Sequence, residues 1–195
     1  MACYSCVSKN NKAAIRVTET DRREGEHMMN TVLLNEEMSL TIPEGFAEIT
    51  AAEVQEMTAC KGQAPMWNIM NRDAHILISA SWVKTGWIVS HLLNAKDMVK
   101  SIRSRYKAKE ASAFGGTYSD INETTMDGQK AYSYTCSYRG RTKEGEMLDM
   151  IRETVVVKIG KVFYVFQSVC RDELKEEGIA SFHEVYDSVQ FAAAA

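Results

Sequence analysis

The chain has 195 residues, 45% hydrophobic and 25% charged, with a net charge of −3. That balance is ordinary for a soluble globular domain and excludes wholesale disorder. It also argues against a dedicated nucleic-acid binder, and a chain this long buries roughly 70% of its unfolded surface without metal or disulfide staples.

The elements follow in chain order. Residues 1–27 are polar, mixed in charge and aperiodic, and read as an N-terminal arm. Residues 28–34 read as a strand with Met28, Val32 and Leu34 on one side. Past the turn Asn35-Glu36-Glu37, Met38, Leu40 and Ile42 alternate with Ser39 and Thr41 in a second strand. Pro43-Glu44-Gly45-Phe46 breaks it. Thr50 and Glu53 form a capping box, which opens a short helix to about Cys60 that Gly62 ends.

Residues 66–70 and 75–83 bracket the turn Asn71-Arg72-Asp73, with Ile76, Ile78, Ala80 and Trp82 as one apolar face. Residues 86–93 are apolar, and periodicity does not decide between loop and short helix. Residues 94–109 predict a helix: Asn94 is the cap, and Ala95, Met98, Val99, Ile102 and Tyr106 make its core stripe. Gly115-Gly116 opens a turn into a strand at 118–125. Asp127-Gly128 is the strongest hairpin dipeptide in the chain.

Three long strands follow, at 130–138, 147–159 and 162–170. In the first, Tyr132, Tyr134, Cys136 and Tyr138 share one face, and Ala131, Ser133, Thr135 and Ser137 the other. The small-residue face is where a helix would approach closely. Residues 172–188 predict a helix with Ile179, Phe182, Val185 and Tyr186 inward and Gly178 dividing it. Residues 189–191 form a short terminal strand, and the alanines 192–195 read as a vector-derived tail.

Short hairpin turns demand antiparallel neighbours. Residues 155–159 and 162–170 are apolar on both faces, which requires a sheet covered on both sides. The expected fold is therefore α+β: a single antiparallel sheet with helices, or a partner, packed on its faces across residues 28–191.

Four motifs then carry a resemblance: Pro43-Glu44-Gly45-Phe46 after the first hairpin, Ile76-Leu77-Ile78-Ser79, Asp127-Gly128-Gln129-Lys130-Ala131-Tyr132, and the closing Ser188-Val189-Gln190-Phe191. Together they resemble the PsbP-like fold group, and within it the bacterial DcrB-like proteins, over residues 29–191. The motifs are short and structural. The resemblance implies a binding role, since the group includes an extrinsic photosystem subunit, a Ran-binding import factor, periplasmic lipoproteins and Eag-type effector chaperones. It implies no catalytic residues. The sequence departs from DcrB-like lipoproteins in lacking a signal and lipid anchor, which tilts the expectation toward the cytoplasmic, chaperone-like branch.

Chemistry is sparse. The five cysteines (Cys3, Cys6, Cys60, Cys136 and Cys170) are odd in number and widely spaced, so reduced thiols are the simpler reading. Cys3 and Cys6 make a lone C-x-x-C where zinc needs about four ligands. His27, His75, His91 and His183 stand singly. No secretory signal opens the chain, and no apolar stretch approaches the ~20 residues that span a bilayer. No phosphate-binding, zinc-protease or nucleophile-elbow motif is present. The expectation is no cofactor, no metal and no enzyme.

Three features suit binding, each with an ordinary alternative. The outer face of helix 94–109 carries Lys96, Lys100, Arg103, Arg105, Lys107 and Lys109 against Asp97, fit for an acidic partner or nucleic acid, or merely solvated. The row Tyr132, Tyr134, Tyr138 would line an open sheet face, or lie under one of the chain's own helices. Met57, Met66, Met70, Met98, Met147 and Met150 would line an adaptable groove, or fill a core. Trp82, Trp87 and residues 88–93 add apolar area that, if exposed, would be a homodimer contact. The reading is a non-enzymatic adaptor that binds another protein through Tyr132, Tyr134, Tyr138, Lys100, Arg103 and Lys107. The alternatives are a chaperone for a secreted effector or membrane helix, a small cysteine-dependent enzyme built on Cys136 or Cys170 with a histidine, and an apolar small-molecule carrier. Neither nucleic acid nor membrane leaves a clear signal.

Overall fold

The computed structural model describes residues 16–17, 30–58, 65–111, 116–142 and 145–192. The remainder of the arm, Met28, the helix end at Cys60 and Gly62, the Gly115 turn, Cys3, Cys6 and the last three alanines lie outside the described residues.

The elements are β1 (Arg16–Val17), β2 (Asn30–Leu34), β3 (Met38–Ile42), β4 (Ala47–Glu48), α1 (Ala51–Thr58), β5 (Trp67–Asn71), β6 (Ile76–Lys84), α2 (Trp87–Leu92) and α3 (Ala95–Ala111). They continue as β7 (Gly116–Tyr118), β8 (Asn122–Met126), β9 (Gln129–Arg141), β10 (Met147–Ile159), β11 (Val162–Arg171), α4 (Lys175–Asp187) and β12 (Gln190–Phe191). The class is α+β, and every strand pairing is antiparallel. The single sheet is corrected to two. A large sheet runs β4-β5-β6-β11-β10-β9-β7, with β8 also on β9, and a small one runs β1-β2-β3-β12. The closing strand joins the small sheet because Ser188 Oγ accepts from the Thr41 amide at 2.9 Å, setting Gln190 opposite Ser39.

Alternation decides which face of the large sheet each layer covers. On one face, Ile69, Ile76, Ile78, Ile151, Val155, Val157, Tyr164 and Phe166 meet Val32, Leu34, Met38 and Leu40 of the small sheet, together with Phe182 and Val185 of α4. On the other, Tyr134, Cys136, Val156 and Phe163 meet Ala95 and Val99 of α3. The layers are thus α3, large sheet, then small sheet with α4.

Local chemistry supports the elements. Glu53 Oε2 accepts from the Thr50 amide at 2.8 Å and Thr50 Oγ1 from the Glu53 amide at 3.2 Å, completing the capping box. Asn94 Oδ1 caps α3 by accepting from the Asp97 amide at 3.0 Å. Asp127 and Gly128 have φ of +48° and +69°, the two positive values a tight hairpin turn demands. Two expected elements change. The strand at 118–125 is two strands, β7 and β8, separated at Ser119, whose Oγ accepts from the Thr135 amide in place of a ladder partner. Gly178 does not divide its helix: α4 runs through it, and the glycine lets the helix lie close on β11.

Candidate functional site

The three tyrosines of β9 do share a face, but α3 packs on that face. The reason is volume: the tyrosine side offers long rings to the stripe of Ala95 and Val99, while the small residues on the reverse make room for the other core. Tyr134 is 1% exposed and is a core residue. Burial pushes its hydroxyl up to about 12, so it stays protonated. Tyr138 is half-buried, and its hydroxyl accepts from Arg152 Nη2 at 3.1 Å. The Arg152 guanidinium lies 4.1 Å from the Tyr106 ring of α3 and 4.6 Å from the Tyr138 ring. Tyr132, nearer the sheet edge, donates to Glu123 Oε2 at 3.3 Å and lies beneath Lys96 Nζ at 5.7 Å. An open aromatic sheet face is therefore absent here. The tyrosines instead fasten α3.

The basic residues of α3 form the outward feature. Lys96, Lys100, Arg103 and Lys107 recur at steps of four, three and four residues, so they lie along one flank of the helix. Lys96, Lys100 and Lys107 are exposed. Arg103 is half-buried, and its Nε is buried with no hydrogen-bond partner among the described residues. The Lys96 end of the flank borders the β8–β9 edge, where Lys130 pairs with Glu123 at 2.9 Å. That ion pair holds the Glu123 carboxyl below the usual range. The structure thus sets Lys96 over Tyr132 and carries Lys100, Arg103 and Lys107 onward along the same helix flank, while Tyr134 is core and Tyr138 is engaged by Arg152.

The methionines do not share a groove. Met66 packs in the core beneath the small sheet, Met98 in the core beneath α3, and Met57 and Met147 are exposed. Two depressions of about 290 and 360 Å³ are lined mainly by polar and charged residues, the first by Ser137, Arg139, Asp149 and Asp172 among others, the second by residues 172–177. Neither has the apolar lining of a lipid or hydrophobic-ligand carrier.

The cysteine chemistry is also placed. Cys136 and Cys170 are buried. Burial pushes the Cys170 thiol up to about 11, with Asp172 and Glu177 adding to the effect, and its Sγ donates to the Leu174 carbonyl at 3.7 Å. A nucleophilic cysteine needs the opposite shift, toward thiolate. Ser168, Glu153 and His183 lie on one side of the sheet, yet Ser168 is 3% exposed and its hydroxyl donates to the Gly178 carbonyl at 3.5 Å.

Residues 86–93 contain a helix, α2, with Trp87, Ile88 and Leu92 on the outside. Its six residues are too few for periodicity to register. Among the described residues, no helix is long and apolar enough to cross a membrane, and no group of three or more metal-ligating side chains forms.

No family model and no curated protein matches the chain. Solved structures do. The solution structure of cyanobacterial PsbP (CyanoP) from Synechocystis sp. PCC 6803 aligns at 13% identity and TM-score 0.50, covering 79% of this chain and 86% of that one. The Saccharomyces cerevisiae Ran-binding protein Mog1p aligns at 10% identity and TM-score 0.50, covering 84% and 96%. LpqN of Mycobacterium tuberculosis aligns at 13% identity and TM-score 0.48, covering 94% and 93%. At these identities the likeness concerns the fold alone, and that fold is PsbP-like.

Proposed function

We propose that this protein is a non-enzymatic adaptor that binds an acidic segment of a partner protein along the flank of α3. The observation that carries the reading is the alignment of Lys96, Lys100, Arg103 and Lys107 on one side of a helix that is itself locked to the sheet. Cations on a rigid element are placed without an ordering cost, and they steer an acidic partner before contact. Tyr132 beneath Lys96 supplies an amphipathic ring at that end of the flank. The fold can carry such a role: the yeast neighbour is a Ran-binding protein. The buried thiol of Cys170 speaks against the cysteine-enzyme alternative.

The test is a charge reversal of the two fully outward positions, Lys100→Glu with Lys107→Glu. A photo-crosslinker at Ser104, also exposed, identifies the partner in the native host. Association of that partner is expected to slow in the reversed protein and to lose its salt dependence. Crosslinks that persist unchanged after charge reversal would refute the site.

A further inference from the structure

Helix α2 is packed with its apolar side outward. Its buried residue is Ser90, whereas Trp87 is 65% exposed, Ile88 66% and Leu92 74%. Leu93 and Val83 extend the exposed apolar surface along the chain on either side. A surface helix normally turns its apolar stripe to the core, and a clustered apolar exposure marks an interaction site.

The orientation is enforced. Lys158 Nζ donates to the carbonyls of Ser90 and Leu93, and Ser90 Oγ donates to the Gly160 carbonyl at 3.3 Å. The Thr85 amide and hydroxyl both donate to the Lys161 carbonyl, at 2.8 and 2.9 Å. These bonds fasten the polar side of α2 to the turn between β10 and β11. The tryptophan, isoleucine and leucine are left to project.

Charge narrows the occupant. Lys84 precedes α2, and Lys161 sits in the turn that holds it; both are exposed. A second copy docked here would set these cations against their own kind. Side chains two-thirds to three-quarters exposed project from the surface, and a protein partner would need a matching pocket for each. A fluid anionic interface needs none, and tryptophan favours its headgroup level. We propose that α2 is an interfacial membrane anchor: Trp87, Ile88 and Leu92 enter the acyl boundary of an anionic bilayer while Lys84 and Lys161 meet lipid phosphates. The anchor is independent of the partner site on α3.

The full chain is mixed with vesicles of phosphatidylcholine alone, or of phosphatidylcholine with phosphatidylglycerol, and sedimented. Binding is expected only with the anionic vesicles. Trp87→Ser with Leu92→Ser is expected to lower it by roughly tenfold or more. Lys84→Glu with Lys161→Glu is expected to lower it by a similar factor. A second readout uses the native chain alone. Brominated acyl chains quench a tryptophan only at the interface, and Trp67 and Trp82 are buried, so quenching reports Trp87. Absence of both sedimentation and quenching overturns the anchor. So does binding that survives the Trp87/Leu92 change, or a vesicle-free dimer that this change dissolves, which would give the face to a second copy.

Discussion

Gly178 of α4 passes so close to Cys170 of β11 that a Cβ on the glycine would stand 2.5 Å from the thiol sulfur and 3.2 Å from the cysteine Cβ. Alanine at 178 gains about 1 kcal/mol of helix propensity, but overpacking costs about 1–3 kcal/mol. Gly178→Ala is therefore expected to destabilise the native chain. In a Cys170→Ala background the sulfur is gone and only the 3.2 Å Cβ approach remains, so the same change is expected to cost markedly less. Urea denaturation of the four proteins measures the coupling. A Gly178→Ala cost equally large in both backgrounds would refute the close approach to the sulfur.

Arg152 joins layers: its guanidinium lies between the rings of Tyr106 on α3 and Tyr138 on β9. Lysine keeps the charge but loses the flat, weakly hydrated plane that stacks on two rings. Arg152→Lys is expected to cost about 1–2 kcal/mol, from cation–π contacts of about 0.5–2 kcal/mol each. Amide exchange should accelerate in α3 more than in α4, which lies on the opposite face. Equal acceleration in both helices would mean that Arg152 does not specifically hold α3.

How much of this was legible follows from what each pattern encodes. Helix α3 is readable because five apolar residues recur at helical spacing behind an asparagine cap. The long strands are readable from alternation and from Asp127-Gly128. Alternation states that a strand has an apolar face, but not which layer will cover it. The β9 row therefore identifies Tyr132, Tyr134 and Tyr138 as companions without revealing that α3 lies on them. Nor does it reveal that β12 belongs with β3, a long-range pairing fixed by the contact of Ser188 with Thr41. The α3 flank of the site was visible as a basic stripe. The α2 surface was not, because an inverted helix of six residues resembles a short core segment until its exposure is known.

Asp127 has a second role that its hairpin signature does not announce. Its Oδ2 accepts from the Phe191 amide at 2.8 Å, tying the β8–β9 turn to β12. Asp127→Asn retains a residue that tolerates positive φ and keeps a neutral acceptor, whereas Asp127→Ala loses both. The alanine variant is expected to lose about 1–3 kcal/mol, from strain and the stranded bond. The asparagine variant should lose under half of that. Thermal denaturation ranks them, and equal losses would show that neither the turn conformation nor the acceptor matters.

Glu153 and His183 give a pH dependence of definite sign. Burial raises the Glu153 carboxyl above its ordinary value of 4.5, an effect partly offset by His183, whose Nε2 lies 3.4 Å from Oε1. The other carboxylate oxygen is buried without a hydrogen-bond partner among the described residues. A carboxyl raised in the folded state binds its proton more tightly there than in the unfolded chain. Its contribution to stability is therefore fully present below pH 4.5 and declines as pH rises through the raised folded value. Glu153→Gln removes that titration. The stability of the native chain relative to this variant is expected to fall as pH climbs from 4.5 through that window, then level off. Denaturation midpoints at a series of pH values measure it, and a relative stability that instead rises over the window would show that the His183 pairing outweighs burial.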